Sequence, residues 1–197
     1  YAGPVYLQAD HYQFSERAAE LFKKGWALGE ITFSHGEFVI PEGPEYAAVT
    51  KELDDLKAWI REAMWAGSYR NIDIDASTTV LFEGLIAAEA TESEGEAERG
   101  FLALLTPEEL ARHGARIREA FKSDEKRQEL NAMLTAYLTK YVVGVQADLQ
   151  AAGRMPDEMR VTIGGEIDHV GGTNSTLEGL RGFLRVYERT MKQLGIK

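Results

Sequence analysis

The segment NIDIDAS, residues 71–77, decides the fold class that the sequence predicts. Apolar and polar residues alternate along residues 71–75, which is typical of a short β-strand. In the preceding stretch, Glu45 to Ala66, apolar residues recur at intervals of three and four, as they do on one face of a helix. Gly67 then supplies a helix stop. A helix, a glycine and a short strand in this order form the second half of a β-α-β unit.

Two further strands are predicted outside this unit. Residues 5–7 form a β-prone run that ends at Asp10, and residues 160–163 form another that leads to Glu166. Helical periodicity and capping signals predict further helices. One follows Thr106, another spans residues 125–152, and a third begins at a capping box over residues 175–178. Residues 31–40 match a hairpin with a four-residue linker that contains a glycine. Strands that alternate with helices favour parallel packing, so the sequence predicts an α/β fold whose sheet is covered on both faces or closed into a barrel.

Composition narrows the classes of function. The 197 residues include 22 basic and 32 acidic residues, which give a net charge of −10. This charge disfavours nucleic acid and anionic membranes as partners. Cysteine is absent, which excludes disulfides, thiol nucleophiles and Cys-ligated zinc. There is no membrane-length apolar run and no signal-peptide pattern, so we expect a cytoplasmic protein. The missing initial Met indicates a fragment or a processed chain.

Acidic residues follow each predicted strand. Asp10 and His11 follow the first, Asp75 the second and Glu166 the third. The carboxyl ends of parallel strands meet at one edge of a sheet, where barrel enzymes hold their active sites. Clustered carboxylates repel one another, so they imply a bound cation or a shared proton. An imidazole beside carboxylates suits Zn²⁺ or another divalent metal, which makes His11 a candidate ligand.

Glycines surround the last of these carboxylates. Gly164 and Gly165 precede Glu166, and Gly171 and Gly172 follow it. Glycine allows a backbone to turn sharply or to approach a ligand closely, although ordinary loop glycines have the same pattern. Asn174 lies just before the last predicted helix, where either an anion site or a plain helix cap accounts for it.

Three motifs together resemble a known family. Residues 5–11, VYLQADH, resemble the strand of class II fructose- and tagatose-bisphosphate aldolases that ends in an Asp-His pair. Residues 72–77, IDIDAS, resemble the strand that ends in Asp-Gly-Ser or Asp-Ala-Ser. Residues 165–167, GEI, with the later pair Gly171-Gly172, resemble the next strand. The three motifs occur in the order that the family has.

The resemblance implies a zinc-dependent lyase that cleaves or forms a C–C bond in a ketose or ketose phosphate. It implies a (β/α)8 TIM barrel, of which residues 1–197 would be the central segment, with insertions within 27–44 and 79–123. Asp10 would be the acid/base, and His11 and Glu166 would bind Zn²⁺ or another divalent metal. Glu166 and Asp75 would also orient ligands or bind substrate. The residues expected to contact the sugar are Gln8, Ser77, Gly171, Gly172 and Asn174.

Other interpretations stay open. The non-catalytic accessory subunit of tagatose-bisphosphate aldolase also has strands ending in Gly-Asp-His and Asp-Ala-Ser, so the chain resembles a stabilising partner too. A metal-dependent sugar epimerase on the same barrel is a further possibility, with two carboxylates transferring a proton. The first two strands of a barrel and its later zinc histidines are not in the sequence. We therefore expect either a homo-oligomer or association with the remaining barrel segments, since open strand edges need cover.

Overall fold

The computed structural model of the chain describes residues 9–12, 14–67, 71–75, 79, 104–154, 160–163 and 176–196. Within these ranges the helices are α1 (Glu16–Leu28), α2 (Ala47–Gly67), α3 (Pro107–Ala120), α4 (Asp124–Ala151) and α5 (Leu177–Gln193). The strands are β1 (Ala9–Tyr12), β2 (Thr32–Ser34), β3 (Glu37–Val39), β4 (Asn71–Ile74) and β5 (Arg160–Ile163).

The predicted α/β barrel is wrong. The described residues are mostly helical, and their strands form one three-stranded sheet and one separate two-stranded hairpin. A (β/α)8 barrel closes eight parallel strands, so three are too few. The physical reason is that the described parts of the long connections form helices of up to 28 residues, which pack on one another rather than alternate with further parallel strands. Of the stretches predicted as insertions, 27–44 contains β2 and β3, and 79–123 contains α3.

The three strands predicted to run side by side do so. Their order in the sheet is β1-β4-β5, and both pairings are parallel. Strands β4 and β5 lie where the sequence predicts them, whereas β1 begins at Ala9, later than the β-prone run at residues 5–7. The central strand of this sheet is therefore the segment with the clearest alternation in the sequence.

The core is built around α2 and α4. The predicted apolar stripe of α2 is buried, as expected for a helix that packs on one face; it comprises Val49, Leu53, Leu56, Ile60 and Met64. Ile72 and Ile74 of β4 join the same cluster, as do Leu134 and Leu138 of α4. α4 has buried residues on nearly all sides because it lies between this cluster and α5. The sheet is thus attached to the helical core through β4, with further contacts of β1 to α2 and of β5 to α4.

Capping and turn residues determine where several helices and strands begin or end. Thr106 begins α3 with the predicted capping box, in which its hydroxyl accepts from the Glu109 amide and the Glu109 carboxylate accepts from the Thr106 amide. At α5 the cap is Thr176, one residue later than predicted, and its hydroxyl accepts from Gly179. The hairpin linker is two residues long, and both have positive φ, 54° for His35 and 82° for Gly36. Such a turn matches the twist of the paired strands.

The contact between α4 and α5 depends on Gly182. A Cβ at this position would lie 2.8 Å from the carbonyl carbon of Asp124 and 2.9 Å from its oxygen. Because these are backbone atoms, they cannot move aside as a side chain can. We expect Gly182→Ala to lower the free energy of unfolding by about 1–3 kcal/mol, the usual cost of overpacking.

Gly144→Ala is the matched control for this prediction. Gly144 also lies within a helix, but a Cβ there would have no atom within 4 Å. We expect Gly144→Ala to raise stability by about 0.5–1 kcal/mol, because alanine is the better helix former. Urea unfolding of both variants measures the difference. Equal stabilisation by the two substitutions would show that the α4–α5 contact is looser than described.

Candidate functional site

Two buried carboxylates, Asp73 and Asp75, lie within and directly after β4. Ile72 and Ile74 point into the core, and alternation along the strand places Asp73 on the opposite face. Asp75 follows directly after β4, and the same alternation places it on the side of Asp73. Only 7% of Asp73 and 5% of Asp75 is exposed. Carboxylates are rarely buried to this degree unless paired, and both residues do have interaction partners.

The Asp-His pair of β1 coincides with a shift in strand register. Ala9 is level with Ile72, and Tyr12 is level with Ile74, so three steps along β1 match two steps along β4. The extra residue lies between Ala9 and Tyr12, where the sequence has Asp10 and His11. This register shift, a β-bulge or irregularity, sets two residues of β1 against one of β4. In register, Asp10 and His11 are therefore both opposite Asp73.

Strand β5 completes the edge. Ile163, its last residue, is level with Ile74, and Glu166 follows three positions later. Parallel neighbours lie about 4.8 Å apart. In open parallel sheets ligands bind in the crevice beyond the carboxyl ends of the strands. The backbone thus places Asp75 and the end of β5 at the carboxyl edge of the sheet, whereas Asp10 and His11, which were predicted to follow the first strand, lie inside β1 and level with Asp73.

Most of the predicted site residues stay predictions. For Asp10 and His11 the backbone is described and the side chains are not. The others that lie outside the described residues are Gln8, Ser77, Glu166, Gly171, Gly172 and Asn174. Of the predicted catalytic residues, Asp75 is the one whose side chain the structure describes, and it is buried at the expected strand end.

Asp73 was missed by the sequence analysis. Only residues at strand ends were selected there, and Asp73 lies inside β4. The signal was nevertheless present, since Asp73 and Asp75 are separated by two positions and a strand places such residues on one face.

The residue types at this edge fit a divalent cation. Carboxylate oxygen and imidazole nitrogen are the usual ligands of zinc in sites without cysteine. Among the residues whose side chains are described, no group of three or more histidines and carboxylates is arranged to hold a metal.

A cavity of about 300 Å³ lies between α2, α4 and β3. Tyr137 and Tyr141 line it, together with the ion pairs Arg61–Asp148, at 3.3 Å, and Lys140–Glu37, at 4.0 Å. Burial, and then a hydrogen bond to Glu37, raises the pKa of the Tyr137 hydroxyl above its usual value. The phenol therefore stays protonated near neutral pH. Because its lysine and arginine are each paired with a carboxylate, we interpret this cavity as a structural feature of the helix contacts.

Two further findings concern the helices as a group and the similarity of the chain to known proteins. None of the helices in the described ranges combines the length and the apolar character needed to cross a membrane. Comparisons with protein-family models, with curated proteins and with solved structures gave no match to this chain. The functional assignment accordingly depends on the strand edge that carries Asp10, His11, Asp73 and Asp75.

Proposed function

We propose that this chain carries part of the site of a metal-dependent lyase that cleaves or forms a C–C bond in a ketose or ketose phosphate. One observation supports the proposal above the others. The three strands associated with the aldolase-like motifs are parallel neighbours in chain order; Asp10 and His11 lie within β1, Asp75 directly follows β4, and Glu166 comes three positions after the last residue of β5. The proposal concerns the chemistry at this edge and does not require a barrel.

Asp10 is the acid/base in this proposal. In the cleavage direction its carboxylate takes the proton of the hydroxyl group next to the bond that breaks. The hydroxyl oxygen then forms the carbonyl of the aldehyde product, and the electron pair of the broken C–C bond passes to the carbon beside the ketone. Protonation of that carbon completes the second product. General acid/base catalysis of this kind contributes about 10²–10⁴ to a rate.

His11 and Glu166 hold the divalent metal in the proposal. When bound, such a metal supplies Lewis-acid polarisation of the substrate carbonyl, which makes a Schiff-base lysine unnecessary. Asp75 is buried at the end of the central strand, where it orients a ligand or the substrate. Gln8, Ser77 and Asn174 contact the sugar, and Gly171 and Gly172 allow close approach of the backbone.

The net charge of the chain indicates which kinds of partner it can bind. With a net charge of −10, the chain suits a small sugar or sugar phosphate held by specific contacts better than a nucleic acid. We further propose that the protein acts in the carbohydrate metabolism of the cytoplasm and that it assembles as a homo-oligomer. Strands β1 and β5 are the outer strands of the described sheet, and outer strands need cover.

The first test is the metal content of the purified chain with and without His11→Ala. We expect the wild-type chain to retain a divalent metal after dialysis and the variant to lose most of it, because one ligand is gone. His113→Ala, a substitution within α3, is the matched control and should leave the metal content unchanged. Elemental analysis of the three proteins measures it. Equal metal in the wild type and His11→Ala would remove His11 as a ligand.

An aldol cleavage assay with ketose phosphates separates the catalytic function from its alternatives. A catalyst cleaves the sugar alone, whereas an accessory subunit is inactive alone and stabilises a partner in mixing experiments. An epimerase exchanges a substrate hydrogen for solvent deuterium without cleaving a C–C bond. Retained metal without any cleavage would exclude the lyase and leave these two alternatives.

A further inference from the structure

Helix α5 has an apolar stripe in addition to the face that it buries. The buried face packs on α4 and comprises Gly179, Gly182, Phe183, Val186 and Thr190. On a different side of the helix, apolar residues recur at intervals of three and four; this α5 stripe comprises Leu177, Leu180, Leu184, Tyr187, Met191 and Leu194. A helix that packs on one neighbour needs only one apolar face, so the α5 stripe is available to a second neighbour.

The first half of the α5 stripe is open to solvent. Leu177, Leu180 and Leu184 are between 36% and 55% exposed. They adjoin one another, because residues three or four apart are neighbours on a helix surface. Single exposed leucines are common on proteins, whereas a contiguous apolar patch with a polar rim typically marks an interaction site.

The α5 stripe is bordered by α4 on one side and by two opposite charges on the other. Tyr187 lies at the α4 border, where its hydroxyl is 3.3 Å from the hydroxyl of Thr139. Helical geometry places Arg181 and Glu188 along the opposite border, two turns apart, and both are exposed. Glu188 also pairs with Lys192 at 2.7 Å, an exposed ion pair of a kind that contributes little to stability. This border therefore has a basic residue nearer one end of the stripe and an acidic residue nearer the other.

We infer that the α5 stripe is the interface of a homodimer, in which the α5 helices of two copies pack antiparallel about a twofold axis. Such an axis sets Leu184 of each copy against Tyr187 of the other, and Arg181 of each copy beside Glu188 of the other. A parallel pair in register would instead bring Arg181 level with its own copy. Charge complementarity thus selects a second, antiparallel copy as the occupant. The inference rests on the homo-oligomer of the proposed function, whose interface it names, and it is independent of the lyase chemistry.

Sedimentation velocity of the full chain over a range of concentrations tests the dimer. We expect the wild type to dimerise and Leu184→Glu to dimerise at least about 100-fold more weakly, because the variant would bury two carboxylates without partners. Trp59→Glu is the matched control: Trp59 is an exposed apolar residue on α2, and its replacement should leave the dimer unchanged. In dilute solution, where the copies separate, changes at the exposed Leu184 should have little effect on unfolding.

Charge reversal tests the antiparallel arrangement and leaves the apolar residues in place. Arg181→Glu and Glu188→Arg each set like charges together at two points of their own dimer, so each should dimerise about 10-fold more weakly. In a mixture of the two variants both contacts join opposite charges, so a heterodimer as stable as the wild-type dimer should form. Both positions are exposed, and circular dichroism checks that each variant is folded.

Three results would overturn the inference. They are a wild-type chain that stays monomeric at every concentration, including one that binds vesicles or another protein through α5 instead; an unchanged dimer in Leu184→Glu; and a mixture of charge variants that associates no better than its components. Each of these would leave the proposed lyase intact. Conversely, a chain that dimerises as expected but neither binds a divalent metal nor cleaves a ketose phosphate would contradict the lyase and support the α5 interface.

Discussion

Replacement of Asp10 by alanine is expected to lower the turnover of ketose phosphate cleavage by about 10²- to 10⁴-fold, with a much smaller change in substrate binding. The reason is that the proposed task of Asp10 is proton transfer in the transition state. A group that acts only there affects turnover more than ground-state binding. Steady-state kinetics of the purified protein at saturating substrate measure the effect.

Asp54→Ala is the control for this loss. It removes the same functional group from an exposed position on α2, where the carboxylate pairs with Lys57 at 2.8 Å, and it should leave turnover unchanged. Metal content should be equal in the wild type and in both variants, since the proposal gives Asp10 no part in metal binding. An Asp10→Ala protein with normal turnover would end the assignment of Asp10 as acid/base.

A large effect on stability is expected for Leu134→Ala. Leu134 lies on α4 with 1% of its surface exposed and belongs to the main core cluster. Removal of a fully buried leucine side chain loses the free energy of transferring it from water and leaves a cavity, which together cost about 2–5 kcal/mol. Urea unfolding monitored by circular dichroism measures the change. A fall of this size is a large part of the stability of an ordinary domain.

The same substitution at Leu184 provides the comparison. Leu184 lies on the outer side of α5 and is 49% exposed, so its loss should change the free energy of unfolding by less than about 0.5 kcal/mol. The contrast between the two leucines tests whether α4 is the central helix. If the two variants were equally stable, α4 would not be buried as described.

The sequence predicted the sheet better than it predicted the architecture. Residues 71–75 and 160–163 alternate or are rich in β-branched residues, and short-range patterns of this kind are set within a few residues. The prediction of a barrel was wrong because closure of a barrel depends on how the long connections between the strands fold. Helices α3 and α4 have clear periodicity and caps, yet nothing in that periodicity states whether they pack on a strand or on each other.

The burial of α4 was the least predictable feature. Polar residues on a helix normally indicate a solvent-facing side, but Thr135 and Thr139 of α4 are almost fully buried. Each threonine hydroxyl donates to the carbonyl four residues earlier, at 2.8 Å, and Thr190 of α5 does the same at 2.9 Å. A hydroxyl that is satisfied within its own helix no longer needs water. The pattern of polar residues therefore misleads where the helix supplies the partners itself.

For the candidate site, the residue types carried more information than their positions. Asp75 was selected because it follows a strand, and it directly follows β4; the Asp-His pair was selected for the same reason, but that part of the prediction was wrong because the pair lies inside β1. The parallel order of β1, β4 and β5 is as expected. The register shift in β1 could not be predicted from the sequence, because such a shift depends on the pairing of two strands that are distant in the chain. Without that register, nothing distinguished Asp73 from an ordinary polar residue of a half-buried strand.

The long connections between the paired strands also bear on how the chain can change over evolution. Pairing β1 with β4, and β4 with β5, closes two long loops. The entropy lost on closing a loop grows only with the logarithm of its length, so a doubling costs only about 0.6 kcal/mol. Residues can therefore be gained or lost in the loops of these connections, outside the core helices α2 and α4, at little entropic cost, while backbone hydrogen bonds keep the strand ends together. An edge built in this way tolerates drift in chain length and still keeps its carboxylates in place.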